Sequence, residues 1–320
     1  MPPSFRNISR LVLRIPAAET TFARRGFHTV NPSASLHLEQ VGRSFVYGYD
    51  AALDSDNLQT LTQHLDYLEA EWRGFAFEGA AMALTLMDHL FPWRAGQLSA
   101  FLAGPAATHA YMVHVGVGWA IARLIWLRRN IDGCLEHLDS ILRWLAVDGY
   151  GFHEGYFHWP QSVVERKIPK RIVGYACRAF DQGLGRSLWF VDGADVDRIP
   201  ITIGKFPLTR RADLWSGVGL ACAYAGGASS TAVETLKKTA SLYWPQLAQG
   251  AAFAAKARLR AGNRAEHTEL ACRIFCGLSA DTAAAVTDEA LEDLPIDGDE
   301  PSYERWRERI QTTFAANNSL

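Results

Sequence analysis

The chain has 320 residues, 48% of them hydrophobic and 21% charged, enough apolar material for one large core or two fused smaller ones. That balance excludes a disordered chain, a collagen-like fibre and a disulfide-stapled mini-protein. Its 32 basic and 34 acidic residues leave a net charge of −2 with no basic stripe, so no nucleic-acid partner is expected.

The N-terminal stretch 4–15 places Arg6, Arg10 and Arg14 four apart, with Phe5, Ile8, Leu11, Val12 and Ile15 at helical spacing on the other side. An amphipathic first helix is predicted, docked on the core, with an interfacial or organelle-targeting helix as the alternative. It lacks the unbroken apolar stretch of a secretory signal. No apolar run reaches the roughly 20 residues of a transmembrane span.

From residue 77 onwards one pattern recurs: a polar residue, then glycine, then small or apolar residues at helical spacing. Glycines 79, 116, 155, 183, 217 and 250 mark it, at intervals of 37, 39, 28, 34 and 33. These centre on the roughly 34-residue period of helix–turn–helix repeats. Glycine inside a helix costs about 0.5–1 kcal/mol against alanine, and close helix–helix approach explains its repeated use. Second helices are expected at Leu135–Leu145, around Leu236–Leu242 and at Glu269–Leu278. Arg198–Gly204 alternates β-branched residues like a strand, yet one strand without a partner cannot stand alone. The fold class predicted is all-α, about six degenerate helical hairpins stacked as a TPR-like α-solenoid or α/α superhelix. Residues 288–304 form an acidic, turn-rich connection, and a closing helix over about 301–315 presents Trp306 and Ile310 inward. The organisation expected is an N-terminal segment 1–30, a helical-repeat domain 31–287, and the acidic connection with its closing helix 288–320.

Cys134, Cys177, Cys222, Cys272 and Cys276 are few and odd in number and fit reduced thiols in a reducing compartment. Cys272 and Cys276 share a helix face as small buried hydrophobes, and no CxxC pair points to zinc.

Stacked repeats align equivalent positions on one surface. The residue before each marked glycine is Glu78, Val115, Glu154, Gln182, Ser216 or Gln249, and the one before that is Phe77, His114, His153, Asp181, Trp215 or Ala248. Polar groups in such apolar surroundings need partners or a wet cavity, so these columns are expected to face the concave side. The alternative is that they cross-link helices as satisfied hydrogen bonds. The densest cluster is Gly149 to Pro160, with His153, Glu154, His158 and several aromatics. Burial raises a carboxyl pKa towards neutrality, which suits acid–base work by Glu154 with a neighbouring imidazole. His153 and His158 are five apart and diverge by about 140° on a helix, so no metal centre and no cofactor are predicted. No phosphate loop, nucleophile elbow or dinucleotide fingerprint is present. The candidate acid–base groups are Glu78, His153, Glu154, His158 and Asp181. The candidate substrate contacts are His114, Tyr156, Trp159, Gln182, Trp215, Ser216 and Gln249.

The runs Thr21–Phe27, Gly74–Met82, Asp148–Pro160, Ala179–Phe190, Arg211–Ala225 and Gln246–Ala257 resemble the UnbL-like family, a domain-of-unknown-function family encoded with bacterial enediyne polyketide synthases. The resemblance covers about 20–310 and implies a role in forming or maturing an enediyne core from a linear polyene. Its implied partners are an UnbV-like propeller protein and an UnbU-like membrane protein; it carries over no catalytic residues. An enzyme of isomerase, cyclase or dehydratase type acting on an apolar polyene is one expectation. A non-catalytic repeat scaffold gripping partner proteins is the other. The expected setting is the cytoplasm, with any membrane contact made through the N-terminal helix or a membrane partner.

Overall fold

The computed structural model describes residues 13–295, 298 and 300–317. The amphipathic reading of residues 4–12, and Asp297 and Asp299 of the acidic stretch, lie outside the described residues. Among the described residues the chain is helical and contains no strand. Arg198–Gly204 is itself a short helix that buries Ile199 and Ile203.

Among these residues, long helices α1 (Pro32–Asp54), α2 (Ala70–Leu90), α3 (Ala110–Arg123), α4 (Arg143–Phe157), α5 (Ala176–Val191), α6 (Leu208–Ala225) and α7 (Trp244–Ala261) follow one another in a row. Short helices such as Leu58–Asp66, Gln97–Ala103, Ser230–Ala240 and Glu266–Phe275 carry the chain back between them. Asn31 opens α1 by accepting the Ser33 and Ala34 amides, with Pro32 in the first turn. The expected second helix Leu135–Leu145 does not form. A helix ends at Leu135 and α4 starts at Arg143, because the apolar residues after 142 belong to the inner row.

Neighbours in the row run parallel. Trp144 meets Tyr175 near the starts of α4 and α5 (4.7 Å between ring centroids), and Phe152 meets Phe190 near their ends (5.4 Å). The glycines explain how closely they pack. A Cβ on Gly118 would stand 1.9 Å from the Ala146 carbonyl oxygen, and one on Gly149 would stand 2.0 Å from that of Val115. The same reciprocal pair recurs between Gly151 and Gly183, Gly185 and Gly217, and Gly219 and Gly250. Each of α3 to α6 thus offers one glycine backwards and a second, two residues on, forwards. Only a hydrogen fits between the backbones, and the Cα–H···O contacts that result offset part of the glycine cost at about 0.5–1 kcal/mol each.

The contacts correct the register of the repeat. The backward glycines are 79, 116, 149, 183, 217 and 250, at intervals of 37, 33, 34, 34 and 33. Gly155, counted as a repeat position from its His-Glu-Gly context, instead faces a side chain: its Cβ would meet Ser187 Oγ at 1.9 Å. Asp148, not Glu154, therefore completes the pre-glycine column.

The row curls until its ends meet. His37 Nε2 of α1 lies 2.6 Å from the Ala225 carbonyl oxygen of α6, and Arg258 of α7 donates to the Glu71 carbonyl of α2 (3.3 Å). Helix α8 (Ala280–Glu289) continues the row past α7. Helix α9 (Ser302–Asn317) then lies in the concave groove, burying Tyr303, Trp306, Arg307, Ile310 and Phe314 completely.

Candidate functional site

The pre-glycine column turns inward, but α9 covers most of it. Gln182 donates to Asp148 (2.8 Å) and to the Tyr303 hydroxyl (3.0 Å). Ser216 donates to Gln249 (2.8 Å), whose carbonyl also receives Arg307 Nε at 3.4 Å. Arg307, wholly buried, is matched by Asp213 and Glu304, each at 2.8 Å. Gln182, Ser216 and Gln249, expected to contact substrate, are thus occupied in seating the last helix.

Above this polar floor a narrow lumen remains; about 50 Å3 of it admits a water-sized sphere, so a larger guest must part its walls. Val41, Phe45 and Val46 of α1 and Phe75 of α2 form one side of its wall, and the rest comes largely from positions three and seven residues beyond the backward glycines of α3 to α6, on the same helix face as the pre-glycine residue. Trp119, Phe152, Arg186 and Leu220 form one tier, and Tyr156, Phe190 and Tyr224 the next. Ile15, Glu19 and Thr20 close the mouth, held by Tyr156 donating to the Glu19 carbonyl (3.3 Å) and Trp159 donating to the Arg25 carbonyl (3.0 Å). Trp159 therefore braces the N-terminal segment.

Two ionisable side chains face one another across these apolar walls. Glu78 is buried on α2 and accepts Trp119 Nε1 at 3.0 Å. Burial pushes its carboxyl up to about 7, the Arg186 guanidinium and the Trp119 hydrogen bond drawing it partly back. Arg186 is buried too, ion-paired with Asp148 and 5.0 Å above the Phe152 ring. Arg186 and Asp148 were not among the sequence-derived candidates. The signal that finds them is the 33–34-residue spacing of Trp119, Phe152, Arg186 and Leu220, once the register is set on Gly149.

The remaining candidates lie elsewhere. Asp181 faces away from the lumen lining and pairs with Arg210 (2.8 Å to Nε), its carboxyl raised to about 6 by burial against that pairing. His114 is buried with Nδ1 2.7 Å from the Ala110 carbonyl oxygen of its own helix, and Trp215 is buried in the row. Neither touches the cavity. His153, Glu154 and His158 gather outside the wall, where the His153 ring meets Trp119 (5.6 Å) and Phe157 (4.9 Å). The spacing argument against their convergence fails because α4 stops at Phe157. His158, at φ −125° and ψ 33°, leaves the helical path and swings back towards His153.

Parallel helical hairpins wound around an aromatic-lined lumen, with the C-terminal helix seated in the groove, define an α/α superhelical protein. The chain belongs to the DUF1702 family, described as a protein of unknown function, which matches residues 4–314. No curated protein and no solved structure matches it. No single helix among the described residues is long and apolar enough to cross a membrane.

Proposed function

We propose that the lumen binds an elongated apolar molecule and that Glu78 moves a proton on it. The observation that carries this reading is a buried carboxyl, raised to about 7, that shares with Arg186 a cavity walled mainly by apolar side chains, Trp119, Phe152, Tyr156, Phe190 and Tyr224 among them. A group with that pKa is present in both protonation states near neutral pH, as an acid–base catalyst requires. Protonating one carbon of a conjugated chain and removing a proton from another isomerises or cyclises it without net oxidation. Aromatic faces stabilise the cationic charge that develops between the two steps. Arg186 fixes the field at the floor and favours the carboxylate when Glu78 has given up its proton. The substrate class that the sequence resemblance implies, a linear polyene of enediyne-core formation, suits such walls. On this reading UnbV-like and UnbU-like proteins are the pathway partners.

One observation favours the scaffold reading instead: Asp148, Gln182, Ser216 and Gln249 serve helix packing, which leaves Glu78 as the column's polar member at the cavity. The two readings separate in a strain lacking the gene. Complementation with Glu78→Gln, which keeps the shape and the Trp119 contact, is expected to leave a polyene accumulating. Full restoration of product by that variant overturns the catalytic role and leaves the scaffold.

A further inference from the structure

Three ligand-type side chains converge just outside the lumen wall and take no part in the proposed proton transfer. One ligand atom from each of His153, Glu154 and His158 lies within 4.8 Å of the others. His153 Nδ1 and Glu154 Oε1 are 3.2 Å apart. The convergence is a product of the fold. Residues 153 and 154 sit in the last turn of α4, and the backbone at His158 breaks the helix and returns its imidazole over that turn. His153 is buried and held between Trp119 and Phe157, Glu154 is half-buried, and His158 is exposed. The first ligand is therefore rigid, and the last is open to solvent.

We infer that His153, Glu154 and His158 form a binding site for one first-row divalent cation of the zinc or iron(II) type. Two imidazole nitrogens and one carboxylate oxygen are the donor set such ions take in three-ligand sites that keep further positions open. Hard, oxygen-seeking cations such as Mg2+ and Ca2+ are disfavoured by the two nitrogen donors. Tetrahedral coordination at about 2.1 Å sets neighbouring ligand atoms about 3.4 Å apart. Rotation of the exposed His158 and the half-buried Glu154 is enough to reach it, while His153 stays fixed. The remaining positions face solvent at the C-terminal end of α4, beside the segment that Trp159 braces at Arg25. The site lies one aromatic layer from the cavity, so its occupancy is independent of whether Glu78 is catalytic.

The test uses the full-length chain without a polyhistidine tag, freed of metal by chelator dialysis and titrated separately with Zn2+ and Co2+. One equivalent is expected to bind at micromolar affinity or tighter, and Co2+ should give the visible absorption bands of a low-coordinate nitrogen–oxygen site. His158→Ala removes an exposed ligand without disturbing the core and should weaken binding about tenfold or more. Glu154→Gln should weaken it similarly, and His137→Ala, an exposed histidine elsewhere, should leave it unchanged. Absence of a one-equivalent binding phase, or equal affinity in wild type and His158→Ala, overturns the site.

Discussion

Gly183 of α5 lies so close to Asp148 of α4 that a Cβ would stand 1.7 Å from the Asp148 carbonyl oxygen. The same approach, repeated along the row, sets the curvature of the superhelix and hence the width of the lumen. Gly183→Ala must push two backbones apart and should destabilise by about 1–3 kcal/mol. Gly204, with nothing within 4 Å of its Cβ position, is the control. Gly204→Ala should be neutral or stabilising by up to about 1 kcal/mol. Chemical denaturation of both variants checks the contrast, and equal losses at the two positions would contradict it.

Arg307 ties the last helix into the groove through Asp213 of α6 and pairs with Glu304 of its own helix, all three side chains being buried. Arg307→Met removes one of the two cations of Asp213 and Glu304, which Arg178 still meets at 3.2 and 2.7 Å, so the loss should stay below the roughly 3–5 kcal/mol of leaving a buried charge unpaired. The midpoint of urea unfolding should fall accordingly. Binding of an environment-sensitive dye should rise if α9 leaves the groove. An unchanged midpoint would show that Arg307 is not what holds α9.

Stability should depend on pH through Glu78. Its folded pKa of about 7 stands above the ordinary value of 4.5, so the folded state binds this proton more tightly than the unfolded one. The favourable contribution is complete below the unfolded value and is lost as pH rises through about 7. The difference corresponds to about 3 kcal/mol across that window. Glu78→Gln removes the titration, so the variant should match wild type at pH 5 and exceed it in stability at pH 8. Asp181 and the buried histidines titrate in both proteins and cancel in the comparison. A wild-type-minus-variant difference that stays flat with pH would contradict the raised pKa.

The fold class was legible in the sequence because close packing leaves an unmistakable mark: glycines at a 34-residue spacing on otherwise apolar helices. The register was not, because His153-Glu154-Gly155 presents a polar residue before glycine just as Val147-Asp148-Gly149 does, and only the carbonyl each glycine faces tells them apart. The inward turn of Gln182, Ser216 and Gln249 followed from the repeat, but their occupation by α9 did not. A helix more than 30 residues further along the chain than the last marked glycine supplies their partners, and nothing local announces it. Glu78 was found because it stands in the column. Arg186 was missed because its partner Asp148 lies on the neighbouring helix, far back in the chain, and nothing beside it in sequence marks the pair. The convergence of His158 on His153 depends on where α4 ends, and a spacing argument that assumes a continuous helix gives the opposite answer there.

The central claim is that the tiers beyond the repeat glycines enclose a usable apolar lumen. The most direct measurement is equilibrium binding of diphenylhexatriene, an uncharged linear polyene whose fluorescence rises in apolar surroundings, to wild type and to Leu220→Trp. Leu220 lines the cavity, and the larger ring fills it. Saturable binding of about one equivalent to wild type, reduced about tenfold or more in a folded Leu220→Trp, is the predicted result. Equal binding by both proteins, or none by either, would contradict it.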